Sequence, residues 1–261
     1  MKKINRIGEI NISNEGYKMK IIEYNGNKDI IIEFQDKYKV KVHTRYDHFK
    51  EGNIRNPYHP SVHNIGYIGQ GKYDVGKNKK HTKVYITWHS MISRCYNPYY
   101  LNKYPTYIDC YVCNEWHNFQ NFAKWYEENY YEIENEKMHL DKDILFKGNK
   151  IYSPETCIFV SERINTLFVK RQNDRGEYPI GCDYHKATNK IRVRCNIIEN
   201  KKSKNITLEY FPLNKPFQAF TCYKNFKENY IKQMADEYYS KELIPKKLYD
   251  AMYKYEVEIN D

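Results

Sequence analysis

Long apolar runs are missing from this 261-residue chain. No stretch is long enough to cross a bilayer. Met1-Lys2-Lys3 is basic, but no apolar segment comes after it as a secretory leader requires. These absences lead to the expectation of a cytoplasmic protein with no membrane partner. Cysteine is sparse and lacks a paired pattern: seven residues, an odd number at irregular spacing, fit reduced thiols better than a disulfide framework. Cys110-Tyr111-Val112-Cys113 has no second Cys-x-x-Cys knuckle. With Cys95 before it and Cys157 after it, it offers a four-thiolate structural Zn2+ site as the alternative to buried thiols. A dinucleotide fingerprint is also missing, since Gly66-Tyr67-Ile68-Gly69-Gln70-Gly71 has no helical pattern after it and no βαβ unit around it.

What is abundant is positive charge and aromatic surface. Lys plus Arg number 43 against 33 Asp plus Glu, giving a net charge of +10 and a pI near 9.0. Such a balance favours a polyanionic partner over simple solubility when it coexists with 16% aromatics, because Tyr and Arg together suit phosphate contact and base stacking. The heavy use of Asn, Lys, Ile and Tyr reflects AT-rich codons and carries no chemistry.

Residues 1 to about 80 show short alternating runs at 18–24, 29–34 and 38–43, broken at Asn25-Gly26-Asn27 and Gln35-Asp36-Lys37. Asn-Gly between alternating runs predicts a hairpin. Turns come next at Phe49-Lys50-Glu51-Gly52 and Asn56-Pro57, and the pattern predicts a small, bent antiparallel barrel of the Src-homology kind. Lys39, Lys41, His43, Arg45 and Lys50 read as a solvated strand face, with a phosphate-facing surface as the alternative. Residues 74–83 read as a polar linker whose Lys77, Lys79 and Lys80 touch DNA backbone.

In residues 81–170, Trp88, Met91, Ile92 and Cys95 recur at helical spacing up to Asn97-Pro98, predicting an amphipathic helix over 85–96. Asn114 caps a second helix with an aromatic face of Trp116, Phe119, Phe122, Ala123 and Tyr126, read as core that braces the strands and helix of residues 138–168. From Met138 to Leu145, alternation predicts a strand ahead of a Gly148-Asn149 turn; Cys157 to Val160 predicts a second strand, and Ser161 caps a helix running to Phe168. Strand, loop, strand and helix, with carboxylates on the first strand and an amide on the helix, outline a ββα-metal nuclease site. In such a site one divalent ion sits between hairpin and helix while a neighbouring base activates water against the scissile phosphate. Oxygen ligands suit Mg2+ or Mn2+, and Asp141 and Asn165 fit the ligand roles, with Asp143 on the same strand face.

This segment resembles the HNH endonucleases, in particular the phage and intron-encoded branch. The resemblance rests on Arg94-Cys95-Tyr96-Asn97-Pro98, Val112-Cys113-Asn114-Glu115-Trp116, Leu140-Asp141-Lys142-Asp143 and Tyr152-Ser153-Pro154-Glu155-Thr156-Cys157, and covers most of residues 85–168. It implies a general-base His where this chain has Lys142. A lysine beside a cation and a phosphate stays protonated at neutral pH and suits phosphate contact better than proton abstraction. His139, on the face of Asp141, is the substitute base, and Arg163 on the helix is read as a DNA contact. Two readings stay open: an active or weakly nicking enzyme, and a nuclease module kept as a DNA-binding scaffold.

Residues 171–261 begin with a polar linker at 171–177, leading to strands over 178–184, 190–198 and 205–211. A long helix then starts near Asn214 or just after Pro216 and runs to Tyr239, packing through Phe217, Phe220, Tyr223 or Lys224, Lys227, Ile231 and Ala235. Ile191, Val193 and Cys195 face that helix, so Arg192, Arg194 and Asn196 line the opposite face, where side chains can enter a major groove. Lys186 and Lys190 flank them, and Glu209 on a nearby strand opposes them in charge. The pattern from Gly181 through Lys186, Lys190-Ile191-Arg192-Val193-Arg194 and Phe217-Gln218-Ala219-Phe220 to Lys224 resembles the APETALA-type DNA-binding domain, although the usual middle-strand tryptophan is replaced by Ile191 or Val193. A closing helix at 246–258, with Leu248, Met252 and Tyr255 on one side, is expected to pack on the sheet.

The expected architecture is α+β in three modules: an N-terminal small β-barrel (1–80), a central HNH-like ββα module (81–170), and a C-terminal three-stranded antiparallel sheet packed on a helix (171–261). The expected partner is double-stranded DNA, with metal-dependent nicking if the centre is active. The alternative is a catalytically inactive phage regulator or anti-defence protein that binds a host protein or nucleic acid complex.

Overall fold

The computed structural model describes residues 5–78, 80–169, 177–199, 202–259 and 261. Most of the linker expected at 171–177, part of the turn at 200–203, and Lys79 lie outside the described residues. The architecture is mixed α+β with several small, mostly antiparallel sheets. Its contacts form two compact units: Met1–Glu128 with Lys150–Ser153, and Asn129–Asn149 with Pro154–Asp261. Neither division falls at 80 or 170.

In the first unit β1 (Ile10–Ile12), β2 (Lys18–Gly26), β3 (Asp29–Phe34) and β4 (Lys41–Thr44) pair antiparallel in that order. Period-two alternation in β3 turns Ile30, Ile32 and Phe34 inward against Met19 and Ile21 of β2. β4 begins at Lys41 because Lys39 takes a left-handed φ of 51° that interrupts the extended run. The pairing leaves β1 and β4 as sheet edges, where a closed barrel would join first strand to last. Helix α1 (Tyr46–Glu51) adds Phe49 to this core and stops at Gly52, whose φ of 71° supplies the left-handed cap that a side chain would resist.

A short hairpin of β5 (Gly76–Lys77) and β6 (Lys80–His81) stands where a linker was expected. Helix α2 (Lys83–Tyr96) starts where the Thr82 hydroxyl accepts from the Tyr85 N–H at 3.2 Å. Asn97 then caps α3 (Pro98–Lys103), in which Pro98 takes the first-turn place that tolerates proline. After β7 (Tyr111–Val112), Asn114–His117 is a 3-10 turn and α4 covers Phe119–Asn129, so Trp116 lies before α4 and not on it. Trp88, Trp116, Phe119 and Phe122 are fully buried, and the Trp88 indole donates to the Trp116 carbonyl at 2.7 Å. These aromatics belong to the first unit; the hairpin and helix they were expected to brace belong to the second.

The second unit opens on β8 (Met138–Asp141). The loop after it carries β9 (Ile151–Tyr152), which pairs in parallel with β7 and is counted in the first unit. β10 (Ile158–Ser161) then returns antiparallel to β8, ahead of α5 (Glu162–Asn165) and a 3-10 turn to Phe168. Further on, β11 (Cys182–His185), β12 (Lys190–Glu199) and β13 (Lys202–Phe211) form an antiparallel sheet ahead of α6 (Pro216–Ser240) and α7 (Lys246–Tyr253). Ala219, Phe220 and Tyr223 at the start of α6 pack under Ile191, Val193 and Cys195. Ile231, Met234, Ala235 and Tyr238 at its end pack with Ile158, Val160, Ile164 and Leu167 of the hairpin and short helix. One helix therefore fills two cores, and the hairpin shares its unit with the three-stranded sheet. Leu248 and Met252 of α7 join the hairpin's core instead of the sheet's. Phe217 is 69% exposed, outside the packing face expected to include it.

Candidate nucleic-acid interface

Residues 138–168 fold as strand, loop, strand and short helix. The Ser161 hydroxyl accepts from the Ile164 N–H at 3.3 Å and fixes where α5 starts. Register places His139 opposite Val160 and Asp141 opposite Ile158. Directly opposed residues share a sheet face, so His139 and Asp141, both half-buried, point along the side on which Val160 and Ile158 enter the core. The Asp141 carboxylate turns into its own loop, where Oδ1 accepts from the backbone N–H groups of Asp143 at 2.9 Å and Ile144 at 2.8 Å. Burial, and next the Asp143 charge, push the Asp141 carboxyl up to about 6 against those two bonds and the Lys142 charge.

Lys142 is buried. Its ammonium donates to the Asn149 carbonyl at 2.9 Å and to Asp143 Oδ2 at 3.1 Å, while the Asn149 amide donates back to the Lys142 carbonyl at 2.7 Å. The residue at the resemblance's general-base position is thus a clamp across a loop. Lys142→Met removes both donated bonds and is expected to cost about 1–3 kcal/mol in urea unfolding; unchanged stability would show that the loop is held by other contacts.

A divalent ion needs carboxylate oxygens that converge without a competing cation. Here Asp141 is spent on its own turn, Asp143 holds an ammonium, and Asn165 is half-buried on α5. Among the described residues no three His, Cys, Asp or Glu side chains gather as a metal-holding group. Asp141 Oδ1 and Asp143, two of the oxygens expected to hold Mg2+ or Mn2+, are thus committed to contacts within the loop. Of the four zinc candidates, Cys95, Cys110 and Cys157 are buried and Cys113 is half-buried, and none forms a disulfide among the described residues.

The outer face of the three-stranded sheet is better assembled. Asp183 lies opposite Arg192, which lies opposite Tyr210; Arg194 pairs with Thr207, and Asn196 with Asn205. Asp183 takes both arginines: Arg192 Nη2 at 2.7 Å and Nε at 3.3 Å, Arg194 Nε at 2.9 Å. Burial pushes the Asp183 carboxyl up, but the two guanidiniums outweigh it and hold it below the usual carboxylate range. The carboxylate cancels one charge and fixes the plane of two guanidiniums, and Tyr210 also bonds Arg192. The Asn205 amide donates to Asn196 Oδ1 at 2.8 Å, and Lys186 and Lys190 continue the cationic line to the exposed β11–β12 turn. Glu209, opposite the inward Val193, lies off this line, and its carboxylate accepts from the Cys222 thiol at 3.8 Å. In the first unit, His43 and Arg45 are engaged by Asp29 and Asp47, as a solvated face would be.

Beside the sheet runs a cleft of about 650 Å³. Arg163, Arg194 and Asn196, separate in the chain, all line it, whereas His139, Asp141 and Asn165 do not. Sequence reasoning places Lys227 in a packing face and offers no role for Asp183, yet Lys227 lines this cleft and Asp183 organises the arginines. An ionisable residue at an apolar position of a helix was the available signal for Lys227. No protein-family model, curated protein or solved structure matches the chain, and the interface is read from its own chemistry.

Proposed function

We propose that this chain binds double-stranded DNA through the outer face of the β11–β12–β13 sheet, with residues 138–168 serving as a scaffold instead of a metal-dependent nuclease. The observation that carries the reading is the pair Arg192 and Arg194, both half-buried, held side by side on the outer strand face by one carboxylate. Two fixed forks on a sheet suit a duplex, where phosphates set register and base edges are read in the major groove. The net charge of +10 supplies long-range attraction. The buried Lys142 clamp supports the scaffold role, because a cutting centre would need a group there able to accept a proton.

The test is a salt titration of duplex binding. Affinity is expected to fall steeply with salt, and Arg192→Ala/Arg194→Ala to lower it at least tenfold while reducing the logarithmic salt slope by about 2, close to one per lost phosphate contact. Equal affinity and slope in the double variant would remove the sheet from the interface. Supercoiled plasmid is expected to stay supercoiled with Mg2+ or Mn2+, also for Lys142→His; relaxation by either protein would bring back the nicking enzyme.

A further inference from the structure

Lys227 occupies an apolar position with a charged group. It sits on the inner face of α6, four residues after Tyr223 and four before Ile231, and is 8% exposed. Among the described residues nothing hydrogen-bonds or ion-pairs with its ammonium. Burial pushes that ammonium down from its ordinary value, with the Cys195 thiol opposing. An ammonium on a largely buried side chain with no protein partner is unfavourable unless water or a ligand in the cleft meets it. Two buried polar atoms without partners line the same cleft, Arg163 Nε and Glu136 Oε2. Glu136 is fixed through its other oxygen, which accepts from the Tyr238 hydroxyl at 2.7 Å, and the Arg163 guanidinium lies 5.8 Å from the centre of the Tyr238 ring.

The cleft thus brings together Lys227, Arg163 and, at the sheet edge, Arg194 already paired to Asp183, with the Glu162 and Asp183 carboxylates also on its wall and one unsatisfied acceptor on Glu136. We propose that it binds a phosphate-bearing nucleoside: the phosphate on Lys227, Arg163 and Arg194, and an N–H or O–H of the nucleoside on Glu136. The volume falls within the range of small-ligand pockets, and a recess of this kind takes one nucleotide where a duplex cannot enter. The phosphate has two sources, a free mononucleotide or the 5′-phosphorylated end of a strand. Asp183, Arg194, Asn196 and Asn205 line both this cleft and the duplex-binding face, but Lys227, Arg163 and Glu136 belong to the cleft alone, so variants of these keep the two proposals separable.

Calorimetry on the full chain tests it, using inorganic phosphate, 5′-AMP, 5′-GMP, the matching nucleosides, and a trinucleotide with and without a 5′-phosphate. At least one mononucleotide or the phosphorylated trinucleotide is expected to bind, its unphosphorylated counterpart at least tenfold more weakly. Lys227→Met, which replaces an unpaired charge by an apolar side chain of similar length, is expected to stay folded and lose at least tenfold in affinity; Arg163→Gln gives a second reading should Lys227→Met not fold. Binding by the mononucleotide alone marks a free nucleotide as the ligand, and binding by the trinucleotide alone marks a strand end. No heat from any phosphorylated probe at millimolar concentration, or equal affinity in the variants, overturns the proposal. Duplex binding measured separately on 5′-hydroxyl DNA keeps failure here distinct from failure of the sheet face.

Discussion

Gly181→Ala is expected to destabilise the second unit by about 3 kcal/mol or more, the sum of a left-handed backbone penalty and overpacking. Gly181 has a φ of 76°, and a Cβ built on it would fall within the Tyr223 ring. Tyr223 is itself buried in the core that joins the sheet to α6, so the ring cannot move aside without opening that core. The backbone is equally tied, because the Gly181 carbonyl accepts from the Arg194 N–H at 2.7 Å. Gly148→Ala is the matched control: φ is 79° there, but nothing lies within 4 Å of the added carbon, so about 1–2 kcal/mol of backbone strain is all it adds. Urea unfolding of the two variants reads the difference. Equal losses would show that the ring yields and that the Gly181–Tyr223 contact does not set the sheet's position on α6. Because Arg194 is bonded to Gly181, the same variant is expected to weaken duplex binding at the temperatures where the sheet loosens.

The sheet and its helix were legible because one repeating signal determines each. Ile191, Val193 and Cys195 alternate with Arg192, Arg194 and Asn196, and a strand with one apolar face has one way to lie on a helix. Pro216 marks the start of α6 for the same local reason. What α6 packs against was not legible. At 25 residues it is about 37 Å long, enough to serve two cores, and periodicity gives the apolar face of a helix without naming its neighbours. That is why a boundary was expected at 170 between elements that share one unit. Phe217 shows the complement: it carries the right residue type but lies in the first turn, with nothing of the sheet over it.

In the hairpin, the strands and the Ser161 cap were readable from sequence, while the side-chain directions in the loop were not. Lys142 reads as a phosphate contact at the general-base position of the resemblance and is instead buried, donating to the carbonyl of Asn149 seven residues on. No local pattern encodes that contact. Asp183 is a similar case: it meets Arg192 only through the β11–β12 register, which the turn between the strands sets.

Asp141→Asn is expected to raise stability at pH 8 and leave it unchanged near pH 4. The folded carboxyl is pushed up to about 6 by burial and then by Asp143, against an unfolded value of about 3.9. Between these values the folded protein keeps a proton that the unfolded chain has released, so stability falls as pH rises through about 4 to 6 and is constant above. Two pKa units correspond to about 2–3 kcal/mol. Asparagine carries no charge to bury and keeps an oxygen for the Asp143 and Ile144 N–H groups, so the variant escapes most of that loss. The difference between the two proteins, measured by urea unfolding in parallel at each pH, removes every titration they share. A variant less stable than the wild type at pH 8 would mean that the ionised carboxylate is an asset to the fold. Repeating the pH 8 measurement with Mg2+ bears on function directly. Stabilisation of the wild type that vanishes in Asp141→Asn would make Asp141 a metal ligand after all, whereas no gain from the ion in either protein leaves residues 138–168 as the support beneath a DNA-binding sheet.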